Sequence, residues 1–253
     1  MNISFCGSGF LSIYQIGSLK ALLTKAPKFV AGIEKVGGAS GGALTAAILV
    51  CEPHRVDDCK QFNLDLAEDV RKRHLRTFSP TFHLLKPVKE FMKDIVSENA
   101  YQKANGVLHV SLTLLEKFRL PQSRIVSSFS SNDQLIQSLI CSCFIPGYVG
   151  FILPKLNGKY CIDGGFKNNL VGFPDGRTIT VSPFSGDQDI CPNEQTASSL
   201  TVRMANQAFV VNRKNVKRAW QCVFPPPRDV LLYYYDLGYH DTVRFLSNNY
   251  ITE

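Results

Sequence analysis

Gly38-Ala39-Ser40-Gly41-Gly42 is the stretch on which the reading of this chain turns. Residues 33–37 lead into it as a strand-like approach, and the small apolar residues 43–51 continue it as a helix. A chain that leaves a strand, turns sharply at a serine and enters a helix has the context of a nucleophile elbow. Gly38 and Gly42 flank the serine because backbone packs on backbone there and a Cβ would clash. The helix N-terminus behind Ser40 presents free N–H groups that favour developing negative charge. By itself the pentapeptide is also compatible with an ordinary Gly/Ser turn, because so short a pattern recurs often.

Upstream, residues 2–6 read as a short buried strand running into Cys6-Gly7-Ser8-Gly9-Phe10-Leu11-Ser12, with a helix over 13–25. Strand, glycine turn and helix form an anion cradle. A dinucleotide fingerprint fails here. The third glycine is missing at its offset, and no acidic residue caps a second strand about 20 residues on. The better expectation is an oxyanion loop with backbone N–H groups near Gly9 and Phe10, and a structural βα turn is the alternative.

Downstream, Val56, Cys59, Phe62, Leu66 and Val70 recur at helical spacing and predict an amphipathic helix over 56–73, ending in the basic run 71–74. Residues 77–96 carry two prolines and one further helix, either a lid or core. Strands are expected over 106–113 and 124–128, and a helix over 132–141 with Asn132 as its N-cap. A strand over 159–162 delivers Asp163-Gly164-Gly165, a carboxylate on a tight turn, for which an Asx-turn or a helix cap is the plainer explanation. After a strand at 178–181, residues 201–221 fit a helix with Val202, Ala205, Phe209, Val216 and Trp220 on one side and Arg213, Lys214, Lys217 and Arg218 mostly on the other. Such a helix either packs on a domain or lies on an anionic membrane surface.

Composition bounds the rest. With 253 residues, 45% of them apolar and 19% charged, the chain is ordinary globular material for one large α/β domain or two small ones. A net charge of +7 suits anionic lipid surfaces and is compatible with nucleic acid, but no DNA- or RNA-binding motif accompanies it. The eight cysteines have neither metal-finger nor disulfide spacing, and read as buried thiols in a reducing compartment. No signal peptide is visible, and no apolar run reaches the ~18 residues of a membrane span. The expected location is therefore cytoplasmic, with any membrane contact peripheral.

A serine nucleophile needs a base. Of the five histidines, only His240, in Gly238-Tyr239-His240-Asp241, has a turn-like setting after the serine. Ser40, Asp163 and His240 would make a triad of the α/β-hydrolase order; Ser40 with Asp163 alone would make a dyad.

Longer matches bear on this choice. Residues 6–17, 38–42, 143–150, 163–169 and 178–192 together resemble a patatin-like phospholipase domain, of the animal branch that includes adipose triglyceride lipase. In length the chain is similar to the short member of that branch. The resemblance implies an α/β fold of three layers, a central mixed β-sheet flanked by helices. Residues 1–185 would form the catalytic core and residues 186–253 a helical extension packed on the same domain. It implies a Ser40–Asp163 dyad without histidine, an oxyanion hole at Gly7 to Phe10, and supporting glycines Gly38, Gly42, Gly164 and Gly165. It further implies acyl hydrolysis of lipid esters with triacylglycerol leading, phospholipid or retinyl ester as alternatives, and acyl transfer between glycerides. Neither metal nor cofactor is required. Expected partners are lipid esters at a membrane or droplet surface and an activating protein, with no nucleic acid. A catalytically weak lipid-surface or regulatory protein on the same fold is the rival expectation. The chain departs from the family pattern at Leu11, Ser12 and Val171-Gly172, near the loops but away from Ser40 and Asp163.

Overall fold

The computed structural model describes residues 1–73, 83–194, 199–249 and 251. Its first strand is the wholly buried β1 (Asn2–Phe5), followed by a 3-10 turn at Gly9–Leu11 and by α1 (Ser12–Lys25). The short α2 (Pro27–Ala31) leads to β2 (Lys35–Ala39), and Ser40 links β2 to α3 (Gly41–Cys51). Next comes α4 (Val56–Lys72), with Asp57 and Asp58 in its first turn and Arg71 and Lys72 in its last, both complementary to the helix dipole. There follow α5 (Leu85–Ile95), α6 (Ala100–Ala104), β3 (Leu108–Leu115), β4 (Gln122–Val126) and α7 (Asn132–Ser142). Two strands, β5 (Lys155–Leu156) and β6 (Lys159–Asp163), precede β7 (Thr178–Val181). The chain closes with β8 (Thr201–Met204), β9 (Gln207–Val210), α8 (Arg213–Val223) and α9 (Arg228–Asn248).

The main sheet is mixed. β1 lies between β2 and β7, parallel to both, and β2 is parallel to β3. β1 is buried along its whole length, as a strand with covered faces must be. α3 packs on β2 and α7 on β3, while α1 and α9 lie against each other along their lengths. This is the three-layer α/β arrangement expected from the sequence.

The register at β3 explains how two distant segments meet. Val110 pairs with Gly38 of β2 and Val126 of β4; Leu112 pairs with Arg124 of β4 and Asp163 of β6. One residue offers two edges, so β2 and β6 must share the edge of β3 opposite β4. They approach from opposite directions, β2 parallel and β6 antiparallel. Ala39 stops opposite Ser111 and Asp163 stops opposite Leu112. The ends of the two strands therefore abut, although more than a hundred residues separate them in sequence.

Two expectations need correction. Residues 201–221 are not one helix. Ala205 and Asn206 both take positive φ, +48° and +66°, and close a two-residue hairpin between β8 and β9 before α8 begins. Two consecutive left-handed residues match the twist of a tight hairpin, and the helical spacing seen over this region came from two different elements. The α7 cap is Ser131, whose Oγ accepts from Gln134 N–H at 3.2 Å, while Asn132 Oδ1 accepts from Tyr101 N–H at 2.9 Å and serves the first turn of α6 instead. The first part of the expected lid or core segment, 77–82, and His74 lie outside the described residues; the expected helix there is α5.

All eight cysteines are free thiols, seven buried and Cys222 half-buried. Burial pushes the Cys6, Cys51 and Cys59 thiols up to about 12.

Candidate active site

Ser40 sits where the parallel strand β2 gives way to α3, with φ +53° and ψ −131°. That conformation is sparsely populated for a residue with a Cβ and is the strain expected of an elbow. Its surroundings hold it there. Ser40 N–H donates to Ser142 Oγ at 2.9 Å, and the Ser142 hydroxyl donates to Ser111 O at 2.7 Å. The flanking glycines allow close approach of backbones: a Cβ on Gly38 would lie 2.5 Å from Gly42 O, and one on Gly42 would lie 2.3 Å from Cys6 O.

Asp163, the last residue of β6, reaches the same point. Its carboxyl lies beside the Ser40 side chain, close enough for the hydroxyl to hold down its proton affinity. Its Oδ1 accepts the Gly165 N–H at 2.7 Å, the Asx-turn expected of Asp-Gly-Gly. Its backbone is fixed on both sides, by Asp163 N–H to Phe144 O at 2.8 Å and by Thr113 Oγ1 to Asp163 O at 2.8 Å. Gly164 has no room for a Cβ, which would lie 2.1 Å from Ser111 O. Burial raises the Asp163 carboxyl to about 6, and the neighbouring Ser40 side chain and the Gly165 N–H pull the other way without restoring the ordinary value. A carboxyl with that affinity is ionised at neutral pH and remains a proton acceptor. The buried Cys143 thiol lies near the same point, and its burial keeps it protonated.

The glycine loop after β1 lies beside the serine. A Cβ on Gly7 would come within 3.2 Å of Ser40 Cβ, and one on Gly41 would be 3.1 Å from Gly9 O and 3.5 Å from Gly9 N. Gly9 takes φ +50° and lies against the end of α8, where a Cβ would meet Cys222 O at 2.2 Å. The Gly7 N–H donates to Asn169 Oδ1 at 2.9 Å, so this member of the expected oxyanion loop is engaged by a side chain. Ser8, Gly9 and Phe10 line the cavity described next.

Residues that the sequence did not single out complete the arrangement. Asn169 also donates from Nδ2 to Gln207 Oε1 at 2.5 Å, and Gln207 Nε2 donates to Ser182 Oγ at 2.7 Å. This buried chain ties the Asp163 turn, the glycine loop, β9 and the end of β7 together. Asn169 belongs to the Asp-Gly-Gly-Phe-Lys-Asn-Asn stretch, the one signal that pointed to it. Ser111, Ser142 and Gln207 are plain residues of strands and a helix, and no local pattern marks them.

Ser40 and Asp163 stand on the wall of a cavity of about 560 Å³. Its sides are apolar and come from α1, α3, α4 and α5 on one hand, through residues such as Leu19, Ile48 and Val88, and from the β8–β9 hairpin and α8 on the other. Among the described residues, Asp163 is its sole ionisable carboxylate, and no Lys, Arg or His lines it. His240 is exposed on α9, with its ring against Tyr239, and does not approach Ser40. His109 packs its ring on Phe173 and its Nδ1 lies 3.0 Å from Val107 O. Among the described residues there is no cluster of His, Cys, Asp and Glu suited to a metal ion, and no helix is long and apolar enough to cross a membrane.

The family model for patatin-like phospholipases matches residues 3–171. The chain is 35% identical over 246 residues to human patatin-like phospholipase domain-containing protein 4, covering 97% of this chain and 96% of that protein. It is 38% identical over 248 residues to human patatin-like phospholipase domain-containing protein 2, covering 98% of this chain and 48% of that protein. It is also 38% identical over 245 residues to mouse omega-hydroxyceramide transacylase, covering 97% of this chain and 40% of that protein. The chain thus spans nearly all of the first relative and about half or less of the other two.

Proposed function

The chain belongs to the patatin-like phospholipase family, and from that premise we propose that it is a serine acyl hydrolase of neutral lipid esters, using Ser40 as nucleophile and Asp163 as general base. Membership brings lipid ester hydrolysis or acyl transfer as the general chemistry; the dyad and the substrate are our reading. The observation that carries it is the juxtaposition of Ser40, on its strained turn, with a buried carboxyl of raised proton affinity at the abutting ends of β2 and β6, on the wall of an apolar cavity.

Asp163 accepts the Ser40 proton as Oγ attacks the ester carbonyl. The resulting oxyanion lies by the glycine loop and the start of α3, where amide N–H groups and the helix dipole stabilise it, at roughly 2.7–4 kcal/mol per donor. Asp163 then protonates the departing alcohol. Water, or a glyceride hydroxyl, attacks the acyl-enzyme with Asp163 again as base, so hydrolysis and transacylation share one intermediate. The lining supports a neutral substrate. A phosphodiester entering the cavity would be desolvated beside a carboxylate, with no cation among the described lining residues to meet it. An acylglycerol carries no such penalty, and triacylglycerol is the leading substrate.

The test is a fluorophosphonate probe followed by a panel of triacylglycerol, phospholipid and retinyl ester, with and without a glyceride acceptor. The probe should label Ser40, and Ser40→Ala and Asp163→Asn should both abolish turnover while folding is retained. Turnover that survives Asp163→Asn but is lost in His240→Ala would replace the dyad with a triad. An unlabelled, folded wild type would leave only a lipid-surface or regulatory role.

A further inference from the structure

α8 is built inside out. A helix on a protein surface normally turns its apolar stripe inward. Here the inward positions are polar and hydrogen-bonded. Asn215 Nδ2 donates to Ser185 O and Val210 O, both at 2.8 Å. Arg218 forms a two-pronged pair with Glu194 at 2.6 and 2.8 Å. Gln221 Oε1 accepts from Tyr234 Oη at 2.7 Å. The outward positions, Val216, Ala219, Trp220 and Val223, follow the i, i+3, i+4, i+7 spacing of an apolar stripe. Val216 is 68% exposed and Trp220 62%. Trp220 stacks on Phe224 at 4.1 Å between ring centroids, which holds its indole in place on the surface.

The stripe does not end with the helix. β8 is exposed along its length, with Val202 and Met204 alternating onto one of its faces, and Leu200 before it is exposed too. Tyr148 Oη donates to Val223 O at 2.6 Å and ties in a turn whose tip puts Phe151 and Ile152 in water. Cations border this apolar area: Arg213, Lys214 and Lys217 are exposed on α8. Met204, Val211, Val216, Ala219 and Val223 are at once surface residues and lining of the Ser40 cavity. The patch is therefore the rim of the cavity.

We propose that α8, the β8–β9 hairpin and the Phe151–Ile152 tip form the surface by which this protein docks on an anionic lipid layer, with the cavity mouth facing the lipid. Continuity with the cavity selects the occupant. A protein seated here would stopper the mouth, whereas a lipid layer supplies molecules that the cavity admits. The bordering cations match anionic head groups. Trp220 is of the amphipathic type that settles at the head-group level. The proposal deepens the hydrolase reading and rests on it only for what passes through the mouth.

The experiment is flotation of the full chain with phosphatidylcholine vesicles and with mixed phosphatidylcholine–phosphatidylserine vesicles, at low and high salt. In parallel, turnover of a water-soluble short-chain ester and of emulsified triacylglycerol is measured. Wild type and Ser40→Ala should both float with the mixed vesicles. Trp220→Glu and Val202→Glu should lose binding by tenfold or more. Lys217→Glu should lose at least about fivefold and show a weaker salt dependence. All three exposed-site variants should retain soluble-ester turnover and lose emulsion turnover. Wild type that does not float, or variants that float as well as wild type, would overturn the docking surface even if esters are hydrolysed. Flotation without turnover of either ester would instead overturn the hydrolase reading and leave the docking surface standing.

Discussion

Asp163 combines two demands that oppose each other. Its burial, which lifts the carboxyl to about 6, makes it a better proton acceptor for Ser40 but burdens the folded chain with a desolvated charge. Turnover of a soluble ester should therefore rise with pH and reach half its plateau near pH 6, and a profile flat from pH 5 to 8 would remove Asp163 as the base. The stability effect has the reverse sign. Below the unfolded carboxyl's value of ~3.9 both states are protonated; as pH rises towards 6 the unfolded chain ionises first, and stability falls until the folded carboxyl ionises as well. At pH 7 that penalty is fully developed and amounts to at most about 3 kcal/mol. Asp163→Asn should consequently be inactive yet melt higher than wild type at pH 7, with the difference shrinking below pH 4. Asn169 acts at one remove. Its Oδ1 holds the Gly7 N–H and so positions the glycine loop. Asn169→Ala should lower kcat roughly tenfold to a hundredfold with little change in KM, while fluorophosphonate labelling of Ser40 persists. An equal change in KM would mean that it serves substrate binding instead.

At the scale of elements, the crossing of α1 and α9 depends on two glycines. A Cβ on Gly17 would lie 2.0 Å from Tyr235 O, and one on Gly238 would lie 1.9 Å from Tyr14 O. Backbones in that contact cannot yield as side chains do. Around it, Ser18 Oγ donates to Gly238 O at 3.1 Å and Tyr14 Oη to Asp241 Oδ2 at 2.7 Å, so the crossing is locked polar as well as tight. Gly17→Ala and Gly238→Ala should each destabilise by about 3 kcal/mol, the upper end of overpacking costs, in chemical denaturation. Gly106→Ala, where a Cβ meets nothing but φ is +75°, offers a contrast limited to local strain. The elements also show where periodicity misleads. The stretch 201–221 gave one helical pattern because Val202 and Phe209 of a hairpin and Val216 and Trp220 of a helix happen to fall in phase. The left-handed pair Ala205 and Asn206 breaks the stretch between the two strands, and the Asn212 cap breaks it again before α8.

For the whole molecule, the segment after residue 185 decides whether the first part can stand alone. α9 buries Leu231, Tyr234, Tyr235, Phe245 and Leu246, and at roughly 1.5–3 kcal/mol per side chain this rivals the entire 5–15 kcal/mol stability of a domain. A chain cut before Arg228 should lack a cooperative thermal transition by circular dichroism; a folded, active truncation would show that α9 is dispensable. Motifs that act through neighbours in sequence were legible at once: the elbow at Ser40, the glycine loop, the Asx-turn at Asp163, and the strand–turn–helix order that fixes an α/β fold. Each depends on backbone geometry over a few residues, which residue type dictates directly. The pairing of Ser40 with Asp163 rather than with His240 was suggested by resemblance and remained open on the residues themselves. It is the shared edge of β3 that brings those two strand ends together, and strand order is a property of the assembled sheet. The same holds for Ser111, Ser142 and Gln207, whose roles exist only through partners far along the chain, and for α8. Its apolar stripe is written in the sequence, but which way that stripe faces depends on the polar partners waiting beneath it, and these only the tertiary structure supplies.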